Sequence, residues 1–326
     1  MTAATSMPAP RPLSLRVSVT DRCQLRCRYC MPREGVPHHA HADILRYEEI
    51  VALVRVLQKV APVAKVRLTG GEPLVRPEIE RLIGMLAGLH LPEIALTTNG
   101  QLLCRMAAPL KAAGLARVNV SLDSLNAQTY RELTHGGVLS KTIAGIDEAL
   151  RCGLTPLKLN TVVLRGVNEA GILDLVAFAA ERDVEIRFLE VMPIGTAAEH
   201  CREWFFSSDE VKAVIKTRYR LEPIPRTSGS TCRSFTVSDG AVAIGRAGFI
   251  SACSDPFCGD CGRLRLTSDG RLIGCLAADI GIPVRALLAD SHGGTKPLED
   301  AISGILAHKK SRSAFCQPQI MAAIGG

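Results

Sequence analysis

Three cysteines stand close together in the run Val19-Thr-Asp-Arg-Cys23-Gln-Leu-Arg-Cys27-Arg-Tyr-Cys30-Met-Pro32. Their spacing, Cys-x-x-x-Cys-x-x-Cys, supplies three thiolates and no fourth. A structural zinc site closes with four ligands, and a cubic iron–sulfur cluster also wants one ligand per iron. Three ligands on one short loop therefore suggest a cluster with one open iron, able to bind a small molecule and pass it an electron. Zinc, with a fourth ligand from His38, His39 or His41, fits the same spacing. A second trio follows late in the chain, Cys258-Gly-Asp-Cys261 and then Cys275. Adding Cys253 would make a four-cysteine zinc ribbon, but Cys253 lies outside the usual ligand loop and Cys275 has no close cysteine partner. Between Cys261 and Cys275, Arg263 and Arg265 alternate along a strand-like run and so share one face. Two guanidinium groups side by side suit phosphate and carbonyl oxygens, although a solvated basic strand would read the same way.

These residues sit in a chain of 326 residues, 47% hydrophobic and 22% charged, enough for one large domain or two ordinary ones. Nothing approaches the roughly 18 apolar residues of a membrane span. Residues 1–12 read as a loose tail without a secretory layout, so a cytoplasmic protein is expected. The net charge of +7 would serve a polyphosphate substrate. Without basic blocks or basic–aromatic alternation, no nucleic-acid role is expected. Twelve cysteines without an export signal argue for metal or cluster ligation over disulfides; Cys104, Cys152, Cys201, Cys232 and Cys316 are scattered and read as small buried apolar residues or bystanders.

The elements that must position the cysteines alternate in type. Strand-like runs at 15–19, 65–69, 93–98, 117–122, 157–164 and 184–189 are separated by helical patterns at 47–60, 77–89, 101–113, 140–152 and 169–181. Such alternation predicts β-α units and a parallel sheet. Six strands are fewer than a closed barrel's eight, so an α/β, partial (βα)6 TIM-like barrel is expected over residues 13–194, with its site at the strand C-terminal ends. From about Gly195 shorter strands are predicted at 233–237, 242–244, 263–267 and 271–274, with Ser268-Asp269-Gly270 as a hairpin turn. Residues 195–326 are expected to form a C-terminal α+β region closing the barrel's open side.

The first trio, with Tyr29 before its third cysteine and Gly70-Gly71-Glu72-Pro73 after the second strand, resembles the radical S-adenosylmethionine enzymes. The resemblance implies a [4Fe–4S] cluster on Cys23, Cys27 and Cys30 whose open iron chelates S-adenosylmethionine, with reduction yielding methionine and a 5′-deoxyadenosyl radical. Taken alone, Gly-Gly-Glu-Pro is an ordinary turn whose glycines admit a close approach. The second trio, Arg263-Leu-Arg265 and the ending Ile324-Gly325-Gly326 narrow the likeness to the molybdenum cofactor biosynthesis protein A family, over nearly the whole chain. That implies a second [4Fe–4S] cluster on Cys258, Cys261 and Cys275 that binds the guanine of GTP. The implied product is (8S)-3′,8-cyclo-7,8-dihydroguanosine 5′-triphosphate.

Residue by residue, the resemblance assigns S-adenosylmethionine to Tyr29, Gly71, Ser121 and Met192. It assigns GTP to Arg16, Arg67, Thr97, Lys158, Arg187, Arg263 and Arg265, the last two joining the cysteines of the first trio in the catalytic set. It brings Gly325-Gly326 into the active site; a frayed end is the alternative. It also implies an electron donor such as a flavodoxin or ferredoxin, delivery of product to cyclic pyranopterin monophosphate synthase, and leaves room for a homodimer. Departures from the pattern are Thr134-His135-Gly136-Gly137, His200-Cys201 and Cys253. A peptide-modifying radical enzyme with an auxiliary cluster would carry a longer cysteine-rich module, and a zinc-stabilised nucleic-acid-binding protein would hold zinc in place of iron.

Overall fold

Period-two alternation decides the architecture. In β1 (Leu13–Ser18), Leu13, Leu15 and Val17 are buried against helices, while Ser14 and Arg16 face the other way. The same division runs through β2 (Val63–Thr69), β3 (Ile94–Thr98), β4 (Arg117–Ser121), β5 (Lys158–Val163) and β6 (Glu185–Glu190). Their apolar faces (Val66, Leu68, Leu96, Val118, Leu159, Ile186) share one core with Ile50, Leu53, Val54 and Leu57 of α1 (Tyr47–Val60), and with α2 (Ile79–Ala87), α3 (Leu103–Ala112), α5 (Leu139–Arg151) and α6 (Ile172–Glu181). The computed structural model describes residues 12–226, 229–256, 261–276, 281–289 and 294–308.

β1 to β6 pair in sequence order, all parallel. The C-terminal region adds strands to both ends of this sheet. After α7 (Ala197–Trp204), α8 (Ser208–Lys216), β7 (Arg220–Pro223) and β8 (Arg233–Asp239), strand β9 (Val242–Ile250) lies parallel beside β6. Strand β10 (Arg263–Leu266) lies parallel beside β1, carrying β11 (Arg271–Ile273) and β12 (Gly281–Pro283) antiparallel beyond it. The order is β12-β11-β10-β1-β2-β3-β4-β5-β6-β9-β8-β7. β9 and β10 are not neighbours, so this is a partial barrel narrowed from both edges. α9 (Val284–Ala289) and α10 (Lys296–His308) pack on α1, and Lys59 Nζ reaches Thr295 Oγ1 at 3.0 Å.

The expected strands and helices recur with shifted ends. α2 starts at Ile79, not Pro77, because Glu78 takes a left-handed conformation (φ 54°). β9 runs on to Ile250, not Ile244, because it has hydrogen-bonding partners on both sides. α4 (Ala127–Thr134), α7, α8, α9, α10, β7 and β12 were not anticipated.

Candidate active site

The first cysteine loop leaves β1 and is fixed by the ends of its neighbours. Gly71 N donates to Thr20 O at 2.8 Å and Glu72 N to Arg22 O at 2.8 Å. A Cβ on Gly71 would lie 2.4 Å from Arg22 O, and one on Gly70 2.5 Å from Thr20 O. Thus the bare glycine faces are filled by the cysteine loop's own backbone, where the sequence suggested approach by a ligand. Glu72 is buried; its Oε2 accepts Asn99 N at 2.7 Å, and its Oε1 accepts Thr98 Oγ1 at 2.7 Å and Leu74 N at 3.1 Å. Burial still pushes its carboxyl up to about 7. Asn99 Nδ2 in turn reaches Cys23 Sγ at 3.8 Å. On the far side, Arg26 N and Arg28 N donate to Thr134 O and Leu133 O at 3.1 and 2.9 Å. Tyr29 Oη donates to buried Asp123 Oδ2 at 2.9 Å, and Asp123 Oδ1 accepts Val162 N at 2.8 Å. Glu72 and Asp123 escaped the sequence reading as positioning groups; the signal was an acid two or three residues past a strand end, where side chains meet the neighbouring loops.

Cys23, Cys27 and Cys30 lie within electrostatic reach of one another. Burial, and after it Glu72, pushes the Cys23 thiol up to about 12; burial and Asp123 push Cys27 up. Burial and the neighbouring carboxylates both disfavour the Cys23 and Cys27 thiolates, so a bound metal is what would deprotonate them. Among the described residues, no three His, Cys, Asp or Glu side chains converge as ligands of a single ion. A cluster needs no such convergence, because each thiolate takes its own iron. His38 Nδ1 lies 3.5 Å from Asp21 Oδ2, which also accepts His39 N at 2.7 Å, so Asp21 engages this histidine segment.

The inward face of the sheet is polar and cationic, unlike the branched apolar filling of an ordinary barrel interior. Arg16 stands in register with Arg67 on one side and Arg265 on the other; Thr97 pairs with Asn119, Asn119 with Lys158, and Asn160 with Arg187. Arg67 Nη1 reaches Thr97 Oγ1 at 3.4 Å. Arg16 Nε is buried with no hydrogen-bond partner among the described residues. Burial, then Arg265, Arg67 and Arg263, pushes Arg16 well below its ordinary value. Burial pushes Arg67 and Arg265 down to about 9, with Arg117 and Arg263 respectively as the next cause. Guanidinium groups this crowded repel one another, and an anion among them relieves the repulsion. Carboxylates balance the rest. Glu185 meets Lys158 at 2.7 Å and Arg187 at 3.0 Å; Glu93 meets Lys65 at 3.2 Å and Arg117 at 2.7 Å. Lys65, Arg117, Asn119, Asn160 and Glu185 were missed, although each sits two residues from another inward polar residue.

Arg265 also joins the lumen to the second trio, since Cys261 and Cys275 both act electrostatically on it. Met192, past β6, packs in one small cluster with Ile273 and Leu276, flanking Cys275. Ser121 ends β4. Buried Glu190, at the end of β6, anchors the approach to this loop. Its Oε2 accepts Cys253 N at 3.0 Å and Ser254 N at 2.9 Å, while its Oε1 accepts Ser208 N at 3.0 Å and Ser254 Oγ. The Cys253 and Cys201 thiols both donate to Val191 O, at 3.5 and 3.7 Å. Cys258 and Gly325-Gly326 lie outside the described residues.

A β-α partial barrel with a three-cysteine loop at its mouth defines the radical S-adenosylmethionine class, and the family model for the radical SAM superfamily matches residues 17–179. The model for molybdenum cofactor synthesis, C-terminal part, matches residues 184–315. GTP 3′,8-cyclase of Petrotoga mobilis is 42% identical over 316 residues, 96% of this chain and 97% of that protein. The same enzyme of Moorella thermoacetica is 44% identical over 318 residues, 96% of this chain and 97% of that protein. The chain belongs to the GTP 3′,8-cyclase family of radical S-adenosylmethionine enzymes. Its substrate is GTP, its cofactors are S-adenosylmethionine and two [4Fe–4S] clusters, and its function lies in molybdenum cofactor biosynthesis. In fold it is similar to Streptococcus suis SuiB bound to S-adenosylmethionine, at TM-score 0.61 and 17% identity over 89% of this chain and 67% of that one. No helix among the described residues is long and apolar enough to cross a membrane.

Proposed function

We propose that Cys23, Cys27 and Cys30 hold the first cluster, that Tyr29, Gly71, Ser121 and Met192 receive S-adenosylmethionine, and that Cys258, Cys261 and Cys275 hold the second cluster. Arg16, Arg67, Thr97, Lys158, Arg187, Arg263 and Arg265 bind GTP between them. The observation that carries this reading is the row of Arg265, Arg16 and Arg67 in register across β10, β1 and β2, beneath the loop of the first trio. When bound, the reduced first cluster and S-adenosylmethionine would supply the radical that takes hydrogen from C3′ of GTP, and one further electron and a proton would complete the product once C3′ has joined C8. The chain's own share is orientation. The crowded guanidinium groups draw in the triphosphate, and Glu185 and Glu93 keep the remaining cations aimed along the sheet. Arg263 and Arg265, beside Cys261 and Cys275, orient the guanine end. The walls of β1 to β6 keep water from the reacting carbons.

Residues 13–194 act as the radical-generating unit and 195–326 as the substrate-holding unit behind a tail at 1–12. The enzyme works in the cytoplasm as a monomer or homodimer. It takes electrons from a flavodoxin or ferredoxin and hands its product to cyclic pyranopterin monophosphate synthase. Iron and sulfide analysis after anaerobic purification tests the foundation: about eight irons per chain are expected, and stoichiometric zinc without iron would overturn it. Arg265→Ala should then cleave S-adenosylmethionine without cyclising GTP.

A further inference from the structure

Two segments singled out by sequence, His135 and His200, converge where no assigned role reaches. They line a surface pocket of about 270 Å³ with Arg28, Met31, Pro32, Arg33, Thr196, Glu203 and Trp204. Four of these nine belong to the first cysteine loop itself. Between Arg22 and Arg33 the chain carries Arg22, Arg26, Arg28 and Arg33 and no carboxylate; Arg22, Arg26 and Arg33 are exposed. Burial, then Arg33 and Arg28, pushes the His135 imidazole down, which registers the positive field. The pocket's one acid, Glu203, lies 3.7 Å from His200 Nδ1.

A stacked nucleobase does not suit this pocket. Trp204 is buried, its ring engages His200 at 4.5 Å between centroids, and the Arg28 guanidinium carbon lies 5.3 Å from its centre. What remains is a shallow basic surface whose backbone is tied to the protein through Arg28 N and Leu133 O at 2.9 Å. It lies one residue from Cys27 and from Cys30. We propose that this face is the docking surface for an acidic one-electron carrier protein, a partner whose carboxylates complement Arg28 and Arg33, with His135 and His200 beside them, and whose cofactor comes to rest against Pro32. This rests on the reading that Cys27 and Cys30 hold the first cluster. Weak, small, charge-steered contacts are characteristic of electron-transfer encounters. The electron enters here, reduces the cluster by one unit, and leaves the carrier oxidised by one.

Anaerobic stopped-flow reduction of the holoenzyme tests it, using an acidic flavodoxin hydroquinone in one arm and dithionite in the other. Arg33→Glu should slow reduction by flavodoxin about tenfold at low salt, and Arg33→Lys should restore it. Raising ionic strength should narrow the gap, because exposed charges are screened. Glu203→Lys should speed the flavodoxin arm about twofold. All variants should accept electrons from dithionite as the wild type does. Wild-type flavodoxin rates in Arg33→Glu, or a wild-type rate indifferent to salt, would overturn the docking surface. A wild-type protein that neither reagent reduces would remove the cluster assignment and this proposal with it.

Discussion

The two cysteine loops are held in different ways. The first sits in a socket made by the ends of four adjacent parallel strands. Thr20 and Arg22 bind the Gly70-Gly71-Glu72 turn after β2, Asn99 past β3 reaches Cys23, and Asp123 past β4 holds Tyr29. Among the described residues, the approach to the second loop is held by Glu190, by the Cys253 thiol on Val191 O and by the Arg233–Asp255 ion pair, while its two described cysteines flank the β10–β11 hairpin at Cys261 and Cys275. The radical-generating group must be held to within about 0.5 Å of its productive position, which demands many independent constraints. A substrate-holding site tolerates fewer, since the substrate itself supplies contacts on binding.

The sharpest way to break this comparison is to remove one ligand from each loop. Cys23→Ser should reduce 5′-deoxyadenosine formation below detection. Cys261→Ser or Cys275→Ser should retain part of it while losing GTP cyclisation, as read by chromatography of both products under anaerobic conditions. Equal loss of both activities in all three variants would mean that the loops do not divide the labour.

Next come the anchoring carboxylates. Glu72→Gln turns an amide donor toward Asn99 N or Thr98 Oγ1 in a buried site, at a cost of about 2–3 kcal/mol. Iron should fall from about eight to about four per chain, with S-adenosylmethionine cleavage lost. Glu190→Gln turns an amide donor either toward Ser208 N or toward Cys253 N and Ser254 N and should instead lose the second cluster's iron, sparing cleavage. Iron analysis with 5′-deoxyadenosine assay separates the two.

Backbone clearance gives a smaller contrast. Gly71→Ala drives a methyl against Arg22 O, and Gly262→Ala drives one to 2.7 Å from Pro12 O. The Arg22 backbone is held at both ends, by Thr20 Oγ1 and by Glu72 N, whereas Pro12 is exposed and precedes β1, so it yields more readily. Gly71→Ala should cost about 2 kcal/mol and Gly262→Ala about half as much by chemical denaturation. Equal costs would remove the distinction between socket and hairpin.

Much of this was legible in sequence because it rests on short-range rules. Cysteine spacing, the βα alternation and the Ser268-Asp269-Gly270 turn are local signals, and the inward cations Arg16, Arg67, Lys158, Arg187, Arg263 and Arg265 all fall on strands. What stayed hidden depends on pairing across the sheet. Neither Glu72 nor Asp123 announces that it will accept bonds from segments 27 and 39 residues away. Nothing local says that β9 and β10, separated by the second cysteine loop, will lie at opposite ends of the six-strand run. Glycines at 70 and 71 pointed to close approach, but only the packed structure shows that the approaching atoms belong to the cysteine loop. Helix α8 was readable in principle, since Ser207 and Glu210 form a reciprocal cap.

The smallest expected effect concerns the lumen between the loops, where paired and crowded cations meet. Burial pushes the Glu185 carboxyl up, but Arg187 and Lys158 together outweigh it and hold it at about 2 against an ordinary 4.5. A depressed acid contributes stability that is complete well above its unfolded value and is lost as pH falls toward the folded one. Between pH 5.5 and pH 4 the unfolded chain begins to take up this proton while the folded chain does not, a loss of about 0.8 kcal/mol. Urea midpoints across that window should therefore fall more steeply for the wild type than for Glu185→Gln. The difference between the two slopes isolates this carboxyl from every other acid. Parallel slopes would mean that Lys158 and Arg187 do not depend on Glu185, and that the lumen's two halves are electrostatically alike.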